Sequence, residues 1–136
     1  MFCGYERIIS EHKPRGYEIR RRPLKAADGY AEHISRITVD SSLRGNEALF
    51  VALHEFGHVH YSHLAGTGLP RWLEEYEADQ YAIGAMRKEN IPIPRERLRH
   101  QKAEVARLIA ESKTSEVPGD EVLKYAFGKD WRKHRT

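Results

Sequence analysis

Residues 48–53 read Ala-Leu-Phe-Val-Ala-Leu, and His54-Glu55-Phe56-Gly57-His58 follows without a break. Leu49, Phe50, Leu53, Phe56 and Val59 recur at helical spacing through His60, which predicts a helix from about residue 43. Ser42 or Asn46 is expected to cap its start. A helix that is apolar nearly all round is a buried one. His54, Glu55 and His58 are then polar groups on a buried element, and such groups need partners.

Residues four apart share a helix face, so both imidazoles can reach one ion. Zinc accepts neutral histidine nitrogen at about 2.0–2.1 Å and takes four ligands. Glu55, beside the first histidine, can take a proton from a water that the ion acidifies. The pattern arises by chance in roughly one chain in twenty of this composition, so context must carry the reading. A catalytic zinc needs a third protein ligand and an open position. Glu75 and Asp79, four apart on a second predicted helix, supply candidates. Glu75 is expected to bind the metal, and Asp79 to accept the free N–H of a ligand histidine. Ala78 and Ala82 would let the two helices pack closely, while Glu74 and Glu77 are expected to be solvated. Two histidines and a carboxylate suit one Zn2+ best, although iron, cobalt or manganese occupy similar sites.

The rest of the chain reads as a single α+β domain over residues 1–136, with a short N-terminal sheet followed by about four helices. Tyr17–Arg20 and His33–Val39 carry strand alternation, with Asp28-Gly29 as the turn between them and Pro23 marking an edge or interruption. Pro70 opens the second helix, which runs to about Arg87. Residues 95–113 make a third, with Leu98, Val105, Leu108 and Ile109 as its buried stripe. Pro118-Gly119-Asp120 opens a fourth that Gly128 closes, and Trp72 is expected in the core.

Cys3 is the only cysteine, so no internal disulfide forms. No window is long and apolar enough for a transmembrane helix, and Met1–Arg7 lacks a secretory pattern. The expectation is a cytoplasmic protein with no membrane partner. Net charge is +3. Two basic runs, Arg20–Arg22 with Lys25 and Lys129 to Arg135, read as a solvated strand face and a tail, with nucleic acid as the other reading.

His54-Glu55-Phe56-Gly57-His58, followed by Glu75-Tyr76-Glu77-Ala78-Asp79-Gln80-Tyr81-Ala82, resembles the ImmA/IrrE group of small gluzincin-type zinc metallopeptidases. The likeness covers about residues 36–86. It implies a minimal zincin-like fold with an antiparallel sheet, an active-site helix and a ligand-bearing second helix. It also implies His54, His58 and Glu75 as ligands, Glu55 as base and Asp79 behind a histidine. The group's members are often encoded on phages or mobile elements and often act on a regulator protein. Ser62 stands where the family often has a further histidine, and Arg87–Pro92 replaces an apolar stretch ending in Met-Pro.

The leading expectation is therefore a zinc endopeptidase acting on a protein or peptide substrate. The alternative is a zinc-binding regulatory or interaction module without proteolysis, with or without nucleic acid. Candidates for holding the reacting oxygen or the substrate are His33, Tyr61, His63 and Tyr81. The strand Ile34–Val39, leading into the histidine-bearing helix, is the expected rest for an extended substrate.

Overall fold

The computed structural model of the chain describes residues 2, 4–25, 27–32, 35–65, 67–112 and 116–135. Among them no helix is long and apolar enough to cross a membrane. His33 and Ile34, and with them one candidate contact and the start of the expected substrate strand, lie outside the described residues.

The chain begins with a helix that the sequence reading did not identify, α1 (Glu6–His12). It has seven residues and buries only Ile8 and Ile9, too few apolar positions to show a period. Three strands follow: β1 (Glu18–Arg22), β2 (Gly29–Glu32) and β3 (Arg36–Asp40). Their order in the sheet is β1-β3-β2. β2 pairs antiparallel with β3, but β1 pairs parallel with it, in the register Glu18↔Arg36 to Arg22↔Asp40. The all-antiparallel expectation is thus corrected to a mixed sheet. The cause is a strand the reading did not contain: Gly29–Glu32 is β2, inserted between the two expected strands, and no glycine or proline separates it from β3 to mark the reversal. Asp28-Gly29 is not the turn. Gly29 opens β2, and the Asp28 carbonyl accepts the Asp40 N–H at 2.7 Å.

β3 lies in the middle of the sheet, with Ile37, Thr38 and Val39 fully buried. Two of the three arginines of β1 are more than a solvated face, while Arg22 is exposed as expected. Arg20 donates to Thr38 Oγ1 at 3.2 Å, and Arg21 donates to the carbonyls of Asp40 and Leu43.

The central helix α2 (Gly45–His60) buries Ala48–Leu53 and Phe56 against β3, α1 and α3 (Arg71–Lys88). It has no side-chain cap. Ser42 gives its N–H to Asp40 at 3.1 Å, and Asn46 is held by the Tyr5 hydroxyl and donates to the Pro92 carbonyl. Gly57 sets the spacing of α2 and α3. A Cβ there would stand 2.9 Å from Ala78 Cα and 3.1 Å from its carbonyl oxygen. Two further helices, α4 (Arg95–Glu111) and α5 (Asp120–Phe127), join α3 in a smaller core of Trp72, Val105, Leu108 and Val122. Gly128 follows α5 at φ 58°, the left-handed backbone that favours glycine. A 3-10 helix, Gly128–His134, packs its Trp131 inward.

Candidate metal centre

The ridge of α2 that faces α3 carries His54 and His58 one turn apart, and α3 brings Glu75 opposite them. His54 Nε2 lies 3.0 Å from one Glu75 oxygen, and His58 Nε2 lies 3.3 Å from the other. The two Nε2 atoms are 3.1 Å apart. His54, Glu55 and His58 also bring one ligand-capable atom each within 4.8 Å of one another, so the cluster could hold a metal ion. Glu55 is 5 % exposed on the same helix.

Each histidine is held from behind. Asp79 Oδ1 lies 2.7 Å from His54 Nδ1. It also accepts from Gln101 Nε2 of α4, while its other oxygen accepts from the Tyr125 hydroxyl of α5, both at 2.7 Å. Asp79 is fully buried, so three donors from three helices replace its water. Behind His58 stands His63, with the Nδ1 atoms 2.8 Å apart, and His63 Nε2 lies 3.0 Å from Glu77. Glu77 is therefore a partner of this chain of side chains, not the solvated group expected.

These bonds fix what the front of each ring presents. If neutral His54 gives its Nδ1 proton to Asp79, its Nε2 is a lone pair. That lone pair then faces a carboxylate that can only accept. Something positive must occupy the space between them, either a proton or a metal cation. Tetrahedral ligands at zinc–ligand distances stand about 3.3 Å apart, close to the 3.0–3.3 Å separations found here. The donor set and its spacing fit zinc.

The electrostatics follow from the same contacts. Burial lowers the proton affinity of His54, but its bonds to Asp79 and Glu75 outweigh this and raise its pKa well above the ordinary value. Burial pushes Glu75 up, and the two histidines override that and hold it well below the usual carboxylate range. Glu55 is raised, chiefly by burial, with the nearby histidines opposing.

A cavity of about 540 Å³ opens in front of this cluster. Gly29 of β2 and Val51 of α2 line one side, and His100, Gln101 and Glu104 of α4 line the other. Gly29 suits this wall, because a Cβ would stand 2.8 Å from a Val51 methyl and 3.1 Å from the Thr38 carbonyl oxygen. Three of the candidate contacts are placed elsewhere. Tyr61 is 41 % exposed and stacks on His63. Both ring nitrogens of His63 are engaged behind His58. Tyr81 turns toward α1, where its hydroxyl lies 3.3 Å from His12. None of the three lines the cavity. Gln101, Tyr125 and His100 were not read from the sequence. They reach the site from distant helices, and no local spacing marks them.

A second group, Glu11, His12 and Glu89, also converges within 4.8 Å. Arg7 already bridges its two carboxylates, at 2.8 and 2.9 Å, which leaves little demand for another cation. The chain matches no protein-family model, no curated protein and no solved structure.

Proposed function

We propose that the chain is a zinc-dependent endopeptidase resembling the ImmA/IrrE group, with His54, His58 and Glu75 holding one zinc ion. The observation that carries the reading is the convergence of two Nε2 atoms and a carboxylate at 3.0–3.3 Å, beside a buried glutamate and at the wall of a cleft. When bound, zinc supplies a Lewis acid that polarises a carbonyl and makes water a better nucleophile.

The chain's own groups supply the rest. Asp79 and His63 keep the histidine rings aimed and their front nitrogens free for the ion. Glu55 takes the proton from the attacking water and passes it to the leaving amine, a role favoured by burial, which raises its proton affinity above that of an ordinary carboxylate. His100 lines the cleft opposite and is a donor that can meet the substrate's oxygen.

The substrate rest moves from β3, which is paired on both sides, to the edge strand β2. Hydrogen-bonded pairs alternate along an antiparallel ladder. With Asp28 bonded to Asp40, the main-chain groups of Gly29 and Ala31 face the open edge. An extended peptide adding to that edge would run past Glu55. A structural zinc site normally closes with a fourth protein ligand, and here the front of the cluster faces a cleft.

The test is a proteome-derived peptide library incubated with zinc-loaded wild type and with Glu55→Gln, read by mass spectrometry for new N-termini. Cleavage by wild type that falls by about 10²–10⁴ in the variant supports the reading. New termini from neither protein would count against it.

A further inference from the structure

On the side of α4 away from the sheet, α4 and α5 enclose a groove of about 420 Å³. Arg95, Arg99 and Lys102 line it, and no carboxylate does. These positions are four and three residues apart, so they form one cationic ridge along about two turns of α4. Arg95 makes no hydrogen bond or ion pair among the described residues. Arg99 has only Glu96, with both side chains more than two thirds exposed, and such a pair is worth little. Lys102 lies over the Tyr125 ring at 5.5 Å and has no carboxylate partner. The groove continues past Leu98 and Lys102 toward Arg87 of α3, where Glu121 is the one acid lining it. Arg87 also lacks a partner among the described residues.

The floor is aliphatic. Leu98, Ala103 and Ala126 are the apolar groups between the cations. Tyr125 lines this stretch with its hydroxyl committed to Asp79 and its ring covered by Lys102, and Tyr76, lining the continuation, packs edge-on against Tyr125 at 5.4 Å. Both rings already pack against protein groups, which disfavours a stacked nucleic-acid strand. Small aliphatic ground between spaced cations suits a peptide whose carboxylates flank aliphatic side chains.

We propose that this α4–α5 groove docks an acidic, aliphatic segment of a partner protein. The groove's charge owes nothing to His54, His58 or Glu75, so the proposal does not rest on the metal reading.

The experiment uses a fluorescein-labelled peptide of repeated Glu-Ala-Leu-Glu, titrated by anisotropy at low and high salt. The partners are full-length wild type and the double variant Arg95→Glu with Arg99→Glu. Both arginines are exposed, so the variant is expected to fold, and circular dichroism checks this. The expected result is saturable binding by wild type that weakens with salt and falls by about tenfold or more in the variant. The same peptide with lysine for glutamate should not bind. Equal binding by wild type and the folded variant, or no binding by wild type at low salt, would overturn the proposal. So would labelled oligo(dT) that binds wild type more tightly than the peptide and is lost in the variant, since that assigns the groove to nucleic acid.

Discussion

His54 Nδ1 lies 2.7 Å from Asp79, and that carboxylate is fully buried with Gln101 and Tyr125 as its other donors. Replacing the Asp79 carboxylate by an amide removes the charge that polarises His54 and leaves at most a weaker acceptor for its Nδ1 proton. Asp79→Asn is therefore expected to weaken zinc binding by about 10- to 100-fold. Competition with a chromogenic chelator measures this. Tyr125→Phe removes one donor and leaves the aspartate, so its effect on the same assay should be smaller, with a stability loss of about 1 kcal/mol in urea unfolding.

Gly57 is set so close to Ala78 that a methyl group would meet main chain at 2.9 Å. Backbone cannot yield as a flexible side chain does, so Gly57→Ala must push α2 and α3 apart. Despite alanine's better helix propensity, the variant is expected to lose about 1–3 kcal/mol. Because Glu75 and the histidines sit on these two helices, zinc affinity should fall with it. Denaturant unfolding and the chelator assay check the two effects separately.

Arg97 is a buried cation on α4, paired with Asp28 at 2.8 Å and Glu47 at 3.1 Å and donating to Gln101 at 3.2 Å. It ties the start of β2, α2 and α4 together around the cleft. Asp28 and Glu47 are each more than a third exposed, so both can rehydrate when the arginine is lost. Arg97→Ala is accordingly expected to cost about 2 kcal/mol, below the usual range for breaking a fully buried pair. A cost near zero by urea unfolding would remove the clamp from the account.

A metal that binds the folded chain must stabilise it by mass action. At zinc one hundred times its dissociation constant the gain is about 2.7 kcal/mol. For a chain of this length that raises the melting temperature by on the order of 10 °C. Scanning calorimetry with zinc and with excess chelator checks this, and the His58→Ala variant should show no such difference.

The helices were legible where period and punctuation agreed. The reading from about residue 43 through 60 meets a helix over Gly45–His60, and that from 70 to 87 meets Arg71–Lys88. Pro70 and Pro94 each stand immediately before a helix, and Gly128 immediately after one. Trp72 is buried as expected. The misses have physical causes. Asp28-Gly29 read as a turn into the strand at 33–39, and no turn residue marks the reversal after Glu32, so β2 was missed and the parallel pairing of β1 went unseen. Arg97 escaped notice because an arginine on an amphipathic helix reads as solvent-facing until its two carboxylates arrive from β2's approach and α2. Gln101 and Tyr125 reach Asp79 across 22 and 46 residues of chain, separations that only the packing of α3, α4 and α5 can close.

His54, His58 and Glu75 are expected to hold one zinc ion, and metal analysis of the purified chain measures this without reference to any substrate. Wild type, exposed to zinc at neutral pH and freed of excess, should carry one zinc per chain, and Glu75→Ala should lose most of it while keeping its fold by circular dichroism. Folded wild type that holds no zinc would contradict the account, as would a Glu75→Ala variant that holds as much zinc as wild type.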